Sequence, residues 1–75
     1  SKIAIIGATG NIGSICAEFF SDIVEEIHLV ARNQTRLSRL AEKIKRNSHT
    51  NVYIDTDINR AVSIADIIIT ATNTP

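Results

Sequence analysis

Residues 3–13, IAIIGATGNIG, join a short apolar run to three glycines at three-residue spacing. The run at residues 3–6 is apolar throughout, which is typical of a strand covered on both faces of a parallel sheet. From Asn11 onward, apolar residues recur at helical intervals. A strand, a glycine-rich turn and a helix in this order predict a turn that binds phosphate at the N-terminus of the helix.

The chain has 75 residues, so it has room for one small domain at most. Eight basic residues balance eight acidic ones, which argues against a general attraction to nucleic acid or to anionic membranes. Six of the basic residues fall between Arg32 and Arg46 without interleaved aromatic residues, as on a solvated helix face. No apolar stretch approaches the ~20 residues of a membrane-spanning helix. A single cysteine fits a reducing compartment, so we expect a cytoplasmic protein.

The rest of the chain continues the alternation of strands and helices. Apolar runs predict strands at 26–31 and 51–55 and a buried strand at 66–70. Helical spacing predicts helices that begin after Asn33 and Asp57. Short connections in such an alternation imply right-handed crossovers and a parallel sheet with strand order 3-2-1-4. The predicted fold is α/β, a three-layer Rossmann-type sheet comprising the first half of the domain plus one strand. Because a crossover helix should follow the last strand, we expect residues 1–75 to be part of a longer protein.

The three glycines have separate predicted roles in a dinucleotide-binding turn. One allows the sharp turn out of the strand, the second lets a pyrophosphate approach the backbone, and the third lets the helix pack closely. No Gly-Lys-Ser/Thr follows them, so the turn is not a P-loop. The alternative is a turn that only joins strand to helix. The predicted cofactor-binding residues of the turn are Gly7, Thr9, Gly10, Asn11, Ile12 and Gly13.

The end of the second strand predicts which dinucleotide binds. NAD-preferring sites usually carry an acidic residue about 20 positions after the turn. Here Arg32 occupies that region, with Asn33 beside it and Arg36 one turn into the helix. Arginines and an amide favour a 2′-phosphate, so we predict NADP(H). The alternative is that both arginines are solvated surface residues.

Ala71 and Thr72 follow the fourth predicted strand. Ligands of open α/β sheets bind outside the carboxyl ends of the strands, so these residues are expected to line the nicotinamide or its ribose. The alternative is an ordinary polar loop.

The remaining polar candidates have structural explanations. His28 lies inside a predicted strand and is expected to be packed, and Cys16 is expected to be a buried, inert thiol. Asp55 and Asp57 fit a strand end and a helix cap. One cysteine and two histidines are too few for a metal site, and no catalytic residue is identified.

Three segments carry a family resemblance. IGATGNIGSIC (6–16) and ARNQTRLSRL (31–40) resemble long-chain acyl-[acyl-carrier-protein] reductases. ADIIITATNTP (65–75) is similar to that family and also to glutamyl-tRNA reductases and shikimate dehydrogenases. The first resemblance implies NADPH-dependent reduction of an acyl-carrier-protein thioester to an aldehyde. Its nucleophilic cysteine would lie outside the matched residues, because Cys16 matches the family's helix cysteine.

These observations together predict the NADP(H)-binding domain of a cytoplasmic oxidoreductase. An acyl-carrier-protein reductase is the first expectation, and a shikimate dehydrogenase or glutamyl-tRNA reductase relative is the enzyme alternative. A lactate or malate dehydrogenase is disfavoured because those enzymes usually carry an aspartate where Arg32 stands. The alternative of another class is a non-catalytic module that senses the nucleotide. The expected partners are the dinucleotide, an acyl-carrier-protein thioester and the rest of the parent chain.

Overall fold

The computed structural model describes residues 1–71, which form an alternating series of strands and helices. In chain order these elements are β1 (Lys2–Ile6), α1 (Asn11–Phe20), β2 (Glu26–Val30), α2 (Gln34–Asn47), β3 (Asn51–Ile54), α3 (Ile58–Ile64) and β4 (Ile67–Thr70).

The four strands form one parallel sheet with the order β3-β2-β1-β4, which confirms the predicted topology. At the centre, Ile5 of β1 lies opposite Leu29 of β2 and Ile69 of β4. Since all strands run in the same direction, the turns that follow them meet at one edge of the sheet. The glycine turn and the arginine segment are therefore neighbours.

The two faces of the sheet are covered by different helices, which gives three layers. On one face, α1 and α2 enclose the larger core, whose largest fully buried side chains are Ile3, Ile5, Ile27, Leu29, Leu37 and Ile44. On the other face, Ala61 of α3 packs against Ala4, Ile6 and Val30. Alternate residues of β1 therefore belong to opposite cores, as expected for a strand covered on both sides.

Helix α1 does not bury the face that its apolar spacing suggests. Ile15 and Phe19 are 66% and 62% exposed, while the buried residues of the helix are Gly13 and Ala17. Cys16 is only partly buried, so the prediction of a buried thiol was wrong in degree. Small side chains bring the helix axis close to the sheet, and this turns the larger side chains outward.

Strand β4 was expected to be buried, and this prediction is wrong for the described residues. Ile67 and Ile68 are 44% and 45% exposed, because β4 lies at the edge of this sheet and pairs with β1 alone. Across residues 1–71, every helix is too short or too polar to span a lipid bilayer.

Candidate dinucleotide-binding site

The glycine turn leaves β1 in a conformation that requires glycine. Gly7 has a φ of +80°, in the left-handed region that side chains disfavour. The backbone N–H groups of Gly7 and Ala8 both donate to the Val30 carbonyl oxygen, at 2.8 and 3.1 Å. The Gly10 N–H donates to the Gly7 carbonyl at 3.1 Å, which closes the turn. The turn is therefore fixed to the end of β2, the strand that leads to Arg32.

Gly13 lies where helix α1 contacts this turn. A Cβ atom added there would be 2.2 Å from the Gly7 carbonyl oxygen and 2.9 Å from Ala8 Cα. Both contacts are with backbone atoms, so no side-chain rotation could relieve them. The third glycine thus allows the close approach of helix and turn.

The N-terminus of α1 is open toward solvent. Its N-cap is Gly10, which has no side chain to bind the first amides, and the first turn carries no acidic residue. Gly10 also lines the cavity described below. Backbone N–H groups and the helix dipole attract phosphate at such a terminus. The geometry fits a pyrophosphate that approaches the backbone at Gly10.

A cavity of about 730 Å³ lies in front of this turn, at the carboxyl edge of the sheet. Its volume is within the ~300–1,000 Å³ typical of small-molecule sites. It is lined by Ile6, Gly7, Thr9, Gly10, Val30, Ala31, Arg32, Gln34, Thr56, Ile58 and Ala71. The lining joins the glycine turn, the ends of β1, β2 and β4, and the connection between β3 and α3.

Several predicted cofactor-binding residues lie in this lining, namely Gly7, Thr9, Gly10, Arg32 and Ala71. Gly13 lies behind the turn, where it sets the helix position.

Two other residues of the predicted turn, Asn11 and Ile12, lie outside the lining. Asn11 and Ile12 occupy the first turn of α1 with exposed side chains. Thr72 lies outside the described residues.

Asn33 has the helix-capping role that the sequence predicts. Its Oδ1 atom accepts a hydrogen bond from the Arg36 backbone N–H at 3.0 Å, which caps α2. The Arg36 side chain is exposed, and neither residue lines the cavity. Gln34 lines it instead, and its Nε2 donates to the Ala31 carbonyl oxygen at 3.2 Å.

Gln34, Thr56 and Ile58 are cavity residues that sequence reasoning missed. Thr56 and Ile58 flank Asp57, whose carboxylate caps α3 by accepting from the Asn59 backbone N–H at 3.0 Å. The available signal was their position directly after a parallel strand, because that edge of the sheet binds ligands.

His28 is packed, as predicted, but its partners were not foreseen. Its side chain is 6% exposed and lies between two carboxylates. Nδ1 is 2.8 Å from Oδ2 of Asp55, and Nε2 is 2.6 Å from Oε2 of Glu26. The ring stacks on Tyr53 with a centroid separation of 5.0 Å. Asp55 lies at a strand end, as expected, and it also binds a histidine of the neighbouring strand.

The sequence of this chain matches the model of a known protein family along its whole length. The family model for shikimate / quinate 5-dehydrogenase matches residues 1–75. The chain belongs to the shikimate / quinate 5-dehydrogenase family. Membership in this family, together with the Rossmann-like sheet, implies that the chain binds a nicotinamide dinucleotide and is an oxidoreductase domain.

The chain is also similar to one oxidoreductase and to one alcohol dehydrogenase of known structure. The oxidoreductase ptaF of Pestalotiopsis fici is 34% identical over 55 residues, which cover 72% of this chain and 21% of the relative. The bulky-bulky ketone specific alcohol dehydrogenase of Comamonas testosteroni superposes with a TM-score of 0.68 and 26% identity. That match covers 72% of this chain and 22% of the alcohol dehydrogenase. The chain therefore spans about a fifth of the length of these relatives. The expected acyl-carrier-protein reductase finds no support in these matches.

Proposed function

We propose that this chain is the NADP(H)-binding part of a dehydrogenase that acts on a shikimate-like or quinate-like hydroxy acid. The family match over residues 1–75 supports the substrate class. The cavity at the carboxyl edge of the sheet supports a dinucleotide site, and Arg32 in its lining supports NADP(H) over NAD(H). Arg32 is the observation that carries the cofactor choice.

The electrostatics of the cavity favour a phosphate beside the adenosine ribose. Arg32 lies at the end of β2, where dinucleotide-binding folds contact that ribose. Among the cavity-lining residues of the described chain, no aspartate or glutamate is present to bind two free ribose hydroxyls. A guanidinium forms paired hydrogen bonds with a phosphate, so Arg32 suits a 2′-phosphate. Gln34 supplies a further amide at the same side of the cavity.

The chain's own contribution is binding and orientation. The open N-terminus of α1 receives the pyrophosphate, and the Gly7 turn holds the helix in place for it. Bound NADP(H) supplies the hydride donor or acceptor. The tightly bonded turn keeps these groups in position before the cofactor arrives, which lowers the entropic cost of binding.

The cofactor proposal is tested with Arg32→Ala in the intact protein. A hydrogen bond to a charged group contributes ~1.5–3 kcal/mol, and ~1.4 kcal/mol corresponds to a tenfold change in affinity. Because Arg32 is exposed, we expect the lower end, so the Kd for NADPH should rise about tenfold while that for NADH changes less than about twofold. Titration followed by cofactor fluorescence measures both constants.

Arg39→Ala is the matched control. Arg39 is an exposed arginine like Arg32, but it lies within α2 and outside the cavity lining. Arg39→Ala changes the net charge of the protein by the same amount as Arg32→Ala. It should leave the Kd values for NADPH and NADH within about twofold, since exposed charges are screened by salt. Equal affinities for NADPH and NADH in the wild-type protein, unchanged by Arg32→Ala, would contradict the proposal.

The substrate proposal is tested by turnover of the intact protein. Reduction of NADP⁺ in the presence of shikimate or quinate, followed by absorbance of the reduced nicotinamide, is the expected result. Oxidation of NADPH by an acyl-carrier-protein thioester, without activity on either hydroxy acid, would instead support the reductase resemblance of residues 6–16 and 31–40. Cofactor binding without activity on either class of substrate would overturn the substrate proposal.

A further inference from the structure

A cluster of three titratable side chains packs against β2 and β3, outside the cavity described above. Its members are Glu26 and His28 of β2 and Asp55 at the end of β3, and we call them the histidine clamp. The side chains of His28, Asp55 and Glu26 are 6%, 11% and 19% exposed. Burial of charged groups is costly unless each is paired, and here both ring nitrogens of His28 have a carboxylate partner.

The clamp holds the His28 ring through hydrogen bonds at both of its nitrogens. An ionised carboxylate only accepts hydrogen bonds, so each nitrogen–oxygen contact needs its own hydrogen. Tyr53 stacks on the ring with an interplanar angle of 17°, which fixes the ring plane. The orientation of the His28 ring thus fixes the positions of two carboxylates on different strands.

Stability alone does not account for such a cluster. Buried ion pairs often contribute no more than well-packed apolar side chains of the same volume would, but they demand a specific geometry.

Asp55 is the residue through which the clamp reaches the cavity. Its backbone N–H donates to the Leu29 carbonyl oxygen at 3.0 Å, and its side chain binds His28, so Asp55 is fixed twice to β2. The next residue, Thr56, lines the cavity, and Ile58 lines it two positions later. Asp55 is therefore the last point at which this connection is held before it enters the cavity wall.

We propose that the histidine clamp is a positioning device that holds Thr56 and Ile58 in the cavity wall and thereby sets the affinity for the dinucleotide. The proposal rests on the proposed function, because it concerns the same cavity. His28 and Asp55 act through the connection between β3 and α3 and are not cavity residues themselves.

The clamp has two arms that allow a matched comparison. Asp55 holds the ring on the side that leads to the cavity. Glu26 holds the opposite nitrogen from the first position of β2, where its neighbours are Lys2 and Asn51 at the amino edge of the sheet. Each carboxylate provides one hydrogen bond to the same buried ring. A loss of stability that is not specific to the cavity would therefore have the same effect whichever carboxylate is removed.

The test compares Asp55→Ala with Glu26→Ala in the intact protein. One hydrogen bond of ordinary strength corresponds to about fivefold in affinity, so Asp55→Ala should raise the Kd for NADPH about fivefold or more. Both alanine variants should lower the urea midpoint by similar amounts, because each removes one hydrogen bond to the ring. Glu26→Ala, however, should leave the Kd for NADPH within about twofold. Asp55→Asn keeps an acceptor oxygen of the same reach and should restore the wild-type Kd. Asp55→Ser replaces Asp55→Ala if that variant does not fold.

Hydrogen exchange of the backbone amides gives a second measurement that needs no cofactor. Asp55→Ala should speed exchange at the backbone amides of residues 55 and 59, which donate to the Leu29 carbonyl oxygen and to the Asp57 carboxylate, and Glu26→Ala should not. If the wild-type protein binds no nicotinamide dinucleotide, the proposed function fails, and this exchange pattern alone decides whether the clamp positions the connection. Equal changes in Kd and exchange for both alanine variants, or no change for Asp55→Ala, would overturn the proposal.

Discussion

Replacement of Gly13 by alanine adds one methyl group at a position where the protein has no space for it. The new Cβ would lie 2.2 Å from the Gly7 carbonyl oxygen, whereas contacts of Cβ atoms under 3.0 Å are essentially never observed. The difference means that α1 and the turn must separate by at least about 0.8 Å. Such a shift also strains the hydrogen bond from the Gly10 N–H to the same carbonyl oxygen.

The energetic cost follows from two opposing effects. Overpacking costs ~1–3 kcal/mol, and contact with rigid backbone atoms puts Gly13→Ala at the upper end of that range. Alanine regains ~1 kcal/mol because it favours the helix more than glycine does. The expected net loss in the free energy of unfolding is therefore about 2 kcal/mol.

Urea unfolding followed by circular dichroism measures this loss. With a slope of ~2 kcal/mol per molar urea, the midpoint should fall by about 1 M. Ile15→Ala is the control, because it places alanine on the same helix at a side chain that is 66% exposed. Surface substitutions of that kind change stability by no more than ~0.5 kcal/mol. A Gly13→Ala midpoint equal to that of the wild-type protein would refute the argument from close approach.

Two further substitutions separate cofactor binding from stability. Gly10→Ala should weaken NADPH binding severalfold, because Gly10 lines the cavity and a methyl group there would keep the pyrophosphate from the backbone. As an N-cap change, it should cost at most ~1 kcal/mol of stability. An unchanged Kd in a fluorescence titration would contradict this. Asn33→Ala should cost ~1 kcal/mol through loss of the α2 cap, and Asn33→Ser should recover most of it in thermal unfolding. Equal melting temperatures for the alanine and serine variants would argue against the cap.

Local chemistry explains which features the sequence predicted well. The caps of α2 and α3 at Asn33 and Asp57 follow from side chains that bind amides within three positions of the chain. The strand order follows from the alternation of elements and their short connections.

Features that depend on distant residues were not predictable in the same way. The outward face of α1 results from the small residues Gly13 and Ala17, which a search for apolar periodicity does not register. The pairing of His28 with Asp55 depends on the register of β2 against β3, which no local pattern specifies. The cavity position of Thr56 depends on the same register.

The strand order has a consequence for how the protein is made. Among the four described strands β1 is synthesised first, but it lies inside the sheet, between β2 and β4. Ile3 pairs with Ile27 on one side and with Ile67 on the other, so one edge of β1 lacks its partner strand until β4 leaves the ribosome. At ~5–20 residues per second, this interval lasts several seconds. Throughout that time the nascent chain presents an apolar, hydrogen-bonding edge on which a chaperone, or another nascent chain, can compete with β4.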